Sequence, residues 1–293
     1  MRNRGFLLII FIFNLVSPAG NQVFAQSNVR IVTAGSAMTE TVCALGDCEK
    51  IVATDRTSLY PAQVQSLPSI GYRNSISAEG IIALKPTLFI VEKEYVEDAV
   101  IRQIQSTGIK VIAIARAYDL NGSKELIRTI AKELNKKPQG EQIITKIESQ
   151  LAEANAIVKK AKSSLRAGQA GPKVLCIYNR GTQSFDVAGN KTFSNILPFV
   201  NATPAITGIE GYKALNTEAL IASNPDYLLM FESGVKSLGG VDGVLKVAGV
   251  DQTTAGKKKQ VIVMDGIKLS NFGPRLGEAV KELAEALYSS PAN

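Results

Sequence analysis

The sequence predicts an α/β protein of two Rossmann-like lobes, joined by a single long backbone helix, with a ligand cleft between the lobes. Three observations predict it. Apolar runs of strand length alternate with amphipathic helical patterns in both halves of the chain. The stretch LPSIGYRNSISAEGIIALKP, 67–86, returns as GYKALNTEALIASNPDYLLM, 211–230, and a Glu (Glu79, Glu218) precedes a Pro (Pro86, Pro225) by seven positions in each copy. Between the copies, residues 139–166 read as one unbroken helix.

Taken in order, VRIVTA (29–34) is apolar on both alternating faces, the mark of a strand buried on both sides. Gly35-Ser36 leads into a helix over 38–45, and a short second strand spans 50–54 before the loop DRTSLYP, 55–61. Ser77 is a fair N-cap, because its hydroxyl can accept from an orphan amide of the first turn. Glu79 falls in that turn, where negative charge suits the helix dipole. Pro86 stops the helix, and TLFIV (87–91) is a strand. A helix over 96–107 ends at Gly108, and 110–114 is the next strand. Strands alternating with helices predict a parallel sheet with right-handed crossovers.

A helix over 123–135 precedes the long one. In 139–166, apolar Ile144, Ile147, Leu151, Ala154, Val158, Ala161 and Leu165 fall at steps of three and four, one continuous face. At 1.5 Å per residue such a helix is roughly 40 Å long, enough to span two domains. AGQAGP (167–172) breaks it. The second half restarts with a strand at 173–178, a turn into a strand at 181–186 and a helix over 192–199. Loop 203–215 carries Tyr212. Helix 217–223, strand 227–231, helix 239–246, strand 260–264 and helix 276–288 complete it. The expected division is a leader at 1–25, an N-terminal lobe at 26–138, a bridging helix at 139–168 and a C-terminal lobe at 169–293.

Length and composition narrow the function. The chain has 293 residues, 45% hydrophobic and 20% charged, enough for two ordinary cores. Arg2 and Arg4 precede an apolar run over 6–16, and Val23-Phe24-Ala25 offers small residues for cleavage, which predicts a secretory signal cut after Ala25. The run is interrupted by Asn14 and is short for a membrane span, and no cysteine follows it for lipidation. Loss of 1–25 lowers the formal net charge from +7 to +5. This mildly basic chain has no dense Lys/Arg stripe with interleaved aromatics, so nucleic acid is not expected as a partner, and Lys257-Lys258-Lys259 reads as a solvated turn.

The sequence contains no histidine, which excludes Ser-His and Cys-His dyads and the commonest zinc ligand. With no P-loop and no G-x-S-x-G either, a binding function is expected rather than an enzyme. Cys43 and Cys48 are five apart; in an oxidising compartment they form a small-loop disulfide or stay as two thiols. Cys176, inside an apolar strand, is expected in the core.

Tyr72 follows Gly71 in a loop before a helix. Its phenol is either a hard oxygen donor of the kind that holds ferric iron or a structural half-buried hydroxyl, and Tyr212 is its counterpart. Arg73, Arg180 and Arg275 carry forks suited to carboxylates, or pair with surface acids. Asn190 and Lys191 open a helix after Gly189, which is either an anion-receiving start or a plain cap. Glu79 and Glu218 are helix-terminus carboxylates whose duplication suggests a shared external role.

Through RIVTAGSAMTETVCALG, TDRTSLYP, LPSIGYRNSISAEGIIALKP, VAGNKTF, GYKALNTEALIASNPDYLLM and FGPRLGEAV, the chain resembles the periplasmic haem-binding proteins that feed haem ABC importers. These belong to a helical-backbone class that also carries cobalamin and ferric siderophores. The resemblance implies haem held edge-in between rigid lobes, with Tyr72 as axial iron ligand and Arg56, Tyr60, Arg73, Arg180, Asn190, Lys191, Tyr212 and Arg275 as cleft candidates. Relatives commonly place an arginine two after the tyrosine; here Asn74 stands there and Arg73 is shifted by one. Glu79 and Glu218 match carboxylates that dock on a permease dimer, which works with its ATPase. The expectation is a monomeric periplasmic protein that binds haem and delivers it to an inner-membrane importer. The alternatives are a cobalamin or ferric-siderophore carrier, and a secreted α/β enzyme.

Overall fold

The computed structural model describes residues 29–163, 170–179 and 185–289. The leader expected at 1–25 and the cleft candidate Arg180 lie outside the described residues. The N-terminal lobe is a parallel sheet ordered β2-β1-β3-β4, with β1 Ile31–Ala34, β2 Ile51–Thr54, β3 Leu88–Glu92 and β4 Lys110–Ile114. Every residue of β1 is buried, as its uninterrupted apolar run requires. Ile31, Leu88, Ile90 and Ile114 face one apolar cluster, and Val32, Ala34, Phe89 and Val91 face another, so both sheet faces are covered.

The helix Lys137–Ser163 leaves this lobe, starting two residues earlier than the sequence suggests; residues 164–168 of the expected helix lie outside the described residues. Its buried positions Ile144, Ile147, Ala154 and Val158 join the core of the second lobe. The helix Leu276–Tyr288 lies along it. Gly277 permits the close approach, since a Cβ there would come 2.9 Å from the Ile147 carbonyl. Lys146–Glu278 at 2.7 Å and Lys281–Glu153 at 2.5 Å bridge the two helices.

The second sheet runs β10-β9-β5-β6-β8, with β7 beside β5. Its strands are β5 Lys173–Tyr178, β6 Phe185–Ala188, β7 Thr203–Pro204, β8 Tyr212–Leu215, β9 Tyr227–Phe231 and β10 Val261–Met264. Here strand–helix alternation misleads. β6 pairs antiparallel with both β5 and β8. Only residues 179–184 separate β5 from β6, about half of the dozen or so that a parallel crossover needs.

Other departures are local. Tyr212 lies on edge strand β8 rather than in a loop, and the expected helix over 192–199 is a 3-10 helix, Phe193–Val200, containing Pro198. Short helices Glu232–Ser237, Thr254–Lys257 and Gly266–Asn271 have too few turns to show a period in sequence. Cys43 and Cys48 form a disulfide, and Cys176 is buried and free. Burial pushes the Cys176 thiol well above its ordinary range, so it stays protonated.

Candidate functional site

The cleft opens at the carboxyl ends of the parallel strands of both lobes, where open α/β sheets bind their ligands. Gly35 and Ser36 follow β1, Arg56 and Thr57 follow β2, Tyr95 follows β3, and Arg116 and Tyr118 follow β4. Across from them stand Tyr178 at the end of β5, Phe231 at the end of β9 with Glu232 after it, and Asp265 and Gly266 after β10. The cavity is about 680 Å³, within the span of roughly 300–1,000 Å³ usual for small-molecule sites.

Tyr72 is carried to the mouth by backbone pairing. Residues 68–71 run beside the end of β2, with Thr54 N donating to Pro68 O (3.1 Å), Ile70 N to Thr54 O (2.8 Å) and Arg56 N to Gly71 O (2.9 Å). Gly71 has φ +102, and a Cβ there would meet the Ser75 hydroxyl at 2.8 Å. Ser75 Oγ accepts from Tyr72 N (2.8 Å) and donates to Tyr72 O (2.9 Å), which fixes the turn. The Tyr72 ring is left 38% exposed, facing the cleft.

Beneath Tyr72 lies Tyr95, only 6% exposed. The two rings meet edge to face, centroids 6.1 Å apart at 87°. The Arg73 guanidinium sits 4.9 Å from the Tyr95 centroid and 5.7 Å from that of Tyr72. Burial works against its charge, but a hydrogen bond to the Tyr72 side chain and the surrounding oxygens outweigh that and raise its pKa. Tyr95 donates its hydroxyl to Asp55 Oδ2 at 2.6 Å. Burial first, then the Asp55 charge, push the Tyr95 phenol well above its ordinary pKa, so it keeps its proton. Of two adjacent tyrosines, one offers its oxygen to the cleft and the other is locked inward.

Asp55 is itself a buried hub. It also accepts from Gly35 N (3.0 Å), Thr57 N (2.9 Å), Thr57 Oγ1 (2.5 Å) and Ser58 Oγ (2.7 Å). A buried carboxylate this fully satisfied holds the 55–60 loop in one shape.

The second lobe supplies an aromatic wall. Tyr178 lies 4.9 Å from Tyr212 and 5.6 Å from Phe231, and Phe193 lies 4.6 Å from Phe231, centroid to centroid. Leu59, Tyr60, Tyr72 and Tyr212, four of the five large hydrophobics left exposed among the described residues, line the cleft. Apolar surface gathered in one concavity marks a binding site.

The charges sort clearly. Arg116 pairs with Glu92 at 3.1 Å and also donates to the carbonyl of Asn271. Lys191 pairs with Glu210 at 2.7 Å, both ends exposed. Among the described residues, no carboxylate lies within ion-pair distance of Arg56 or Arg73, so these two are available to an anionic group.

Two sequence expectations need correction. Arg275 does not line the cleft; it forks onto Glu40, 2% exposed, with Nε and Nη2 both at 2.9 Å, and stacks 3.6 Å over the Tyr60 ring. A buried carboxylate 235 positions away had claimed it. The start after Gly189 is not an open anion site either. Thr192 Oγ1 accepts from Ser194 N, and Lys191 N donates to Asn190 Oδ1 and Asn195 Oδ1. Asn190 is thereby outside the cleft lining, while Lys191 is in it.

Glu79 and Glu218 lie outside the cleft on equivalent helices. Ser77 caps Ala78–Ala83 through Gly80 N, Asn216 caps Thr217–Ser223 through Ala219 N, and each Glu is the second helical residue and exposed. The Glu79 pKa is lowered by its own backbone N–H and by Gln103, which donates at 3.0 Å. Sequence reasoning missed Tyr95, Arg116, Tyr118, Tyr178 and Phe231. The signal was available: each stands at or just beyond the carboxyl end of a strand.

Two α/β lobes on one bridging helix, with the cleft at the strand ends, define a bilobal solute-binding protein. Residues 31–267 match the family described as periplasmic binding protein, and the chain belongs to that family. It is similar to the periplasmic heme-binding protein RhuT from Roseiflexus sp. RS-1, at 34% identity and TM-score 0.80, over 89% of this chain and 98% of that one. It is similar to the periplasmic heme-binding protein BhuT, solved in complex with two hemes, at 30% identity and TM-score 0.79, over 89% and 98% of the two chains. The ABC transporter substrate-binding lipoprotein YvrC of Bacillus subtilis (strain 168) is 27% identical over 278 residues, 93% of this chain and 85% of that protein.

Proposed function

We propose that this chain is a periplasmic haem-binding protein that delivers haem to an inner-membrane ABC importer. The observation that carries it is the Tyr72–Arg73 pair at the mouth of an aromatic-walled cleft. An exposed phenol oxygen suits ferric iron. The aromatic wall of Tyr178, Tyr212 and Phe231, backed by the buried Phe193, suits a flat apolar macrocycle. Arg56 and Arg73 suit its propionates. The likeness to heme-binding RhuT and BhuT supports the same cargo. The protein acts as a monomer, exported by the leader at 1–25. Glu79 and Glu218 dock one to each half of a permease dimer, whose ATPase drives release; two separated anchors set orientation better than one.

The test is titration of the mature protein with hemin, followed at the Soret band, beside hydroxocobalamin and a ferric hydroxamate as rivals. A saturable Soret shift at low stoichiometry is expected. No spectral change at equimolar hemin would overturn the reading.

A further inference from the structure

Arg73 occupies an awkward backbone position, at φ 44, a conformation that favours glycine. Its side chain is exposed, and no carboxylate among the described residues pairs with it. A long exposed cation of this kind normally samples several rotamers. Here two neighbours restrain it: the Tyr72 side chain, to which it is hydrogen-bonded, and the buried face of Tyr95, 4.9 Å away. Tyr95 cannot turn, because its hydroxyl is held by Asp55 at 2.6 Å and Asp55 is held by the amides of Gly35 and Thr57. Its edge-to-face contact sets the tilt of the Tyr72 ring.

The geometry points to Tyr95 as a positioning residue for the cleft: its fixed ring holds Arg73, and through Arg73 the Tyr72 oxygen, in the arrangement that receives the iron. It does not touch the cargo's metal itself. The Tyr95 face gives the Arg73 guanidinium its platform. This inference rests on the haem reading above. It adds a residue from a different element, the turn after β3, on which the Tyr72 turn depends.

The test is a double-mutant cycle on the hemin complex of the mature protein, with Tyr95→Leu and Arg73→Gln made singly and together. Hemin loss to excess apomyoglobin gives the dissociation rate, and the ferric charge-transfer band reports the tyrosine–iron geometry. Tyr95→Leu should speed dissociation about tenfold, the scale of one partly desolvated cation–π contact, and shift the band. In the Arg73→Gln background the same change should add less than about twofold, because neighbours acting through one contact are not additive. Equal acceleration in both backgrounds overturns the proposal, as does a band and rate that Tyr95→Leu leaves unchanged. Should the leucine variant fail to fold, Arg73→Lys probes the same contact from the exposed side. Its ammonium cannot stack as a plane, so dissociation should again quicken severalfold, and a parental rate would sink the idea. Parent protein that takes up no hemin defeats the haem reading itself, whereas normal uptake with an inert Tyr95 defeats only this role.

Discussion

Arg275→Met removes the fork that neutralises Glu40. The Glu40 side chain is 3% exposed and that of Arg275 11%, so solvent screens the pair little. With Arg275 gone, the carboxylate keeps only the Asn271 amide at 3.0 Å. Burying a charge that has lost its partner costs about 3–5 kcal/mol. At about 2–4 °C per kcal/mol for a protein of this size, Tm should fall by roughly 6–20 °C. Differential scanning calorimetry on the mature protein measures it. Lys146→Ala is the control: its pair with Glu278 is exposed on the lysine side, and its loss should cost about 1 kcal/mol or less. Glu40→Leu/Arg275→Met should recover most of the deficit, because no buried charge remains. If Arg275→Met melts within about 3 °C of the parent, or the double variant melts below the single one, the reasoning about this pair is wrong.

Tyr72→Phe should abolish the tyrosinate charge-transfer band of the hemin complex and weaken binding at least about tenfold, read by Soret titration; an unchanged spectrum would make Tyr72 structural. Glu79→Lys together with Glu218→Lys should stop haem-dependent growth while hemin affinity in vitro stays at the parental value, and undiminished growth would remove both from docking. Burial raises the Glu278 pKa, but Lys146, with Gln150 and Arg275, together outweigh it, so the net shift is downward from 4.5. An acid depressed on folding stabilises fully above its unfolded pKa and loses that contribution as pH falls through its folded value. Glu278→Gln should therefore narrow the Tm gap to the parent as pH drops from 7 to below about 4.5, and a constant gap would contradict the pairing.

Much of the architecture was legible because it repeats. The Glu–Pro unit appears twice, and a 3–4 apolar period runs through Ile144, Ile147, Ala154 and Val158, all of which are buried. What sequence could not show was pairing at long range. Arg275 read as a cleft candidate or a surface ion pair because its buried acid, Glu40, lies in the first helix. The hint was Glu40 itself, a carboxylate in the apolar stretch SAMTETVCA, which a core admits only with a partner. Tyr95 was invisible for a similar reason: its partners Asp55 and Arg73 come from two different loops. Antiparallel β6 escaped because alternation of strand and helix says nothing of direction when the connection is short, as it is from β5.

The bridging helix has a further consequence. It is clasped around residues 146–153 by Leu276–Tyr288, with ion pairs at Lys146 and Lys281 and the close approach at Gly277. Near the cleft, Asn271 and Arg275 fasten the second lobe to Glu40 of the first. Such a frame opposes a wide hinge swing. The gap between its jaws is then set largely by folding, so the cleft works as a gauge of the thickness of what enters. A cargo that fits meets walls already in place and orders little on entry.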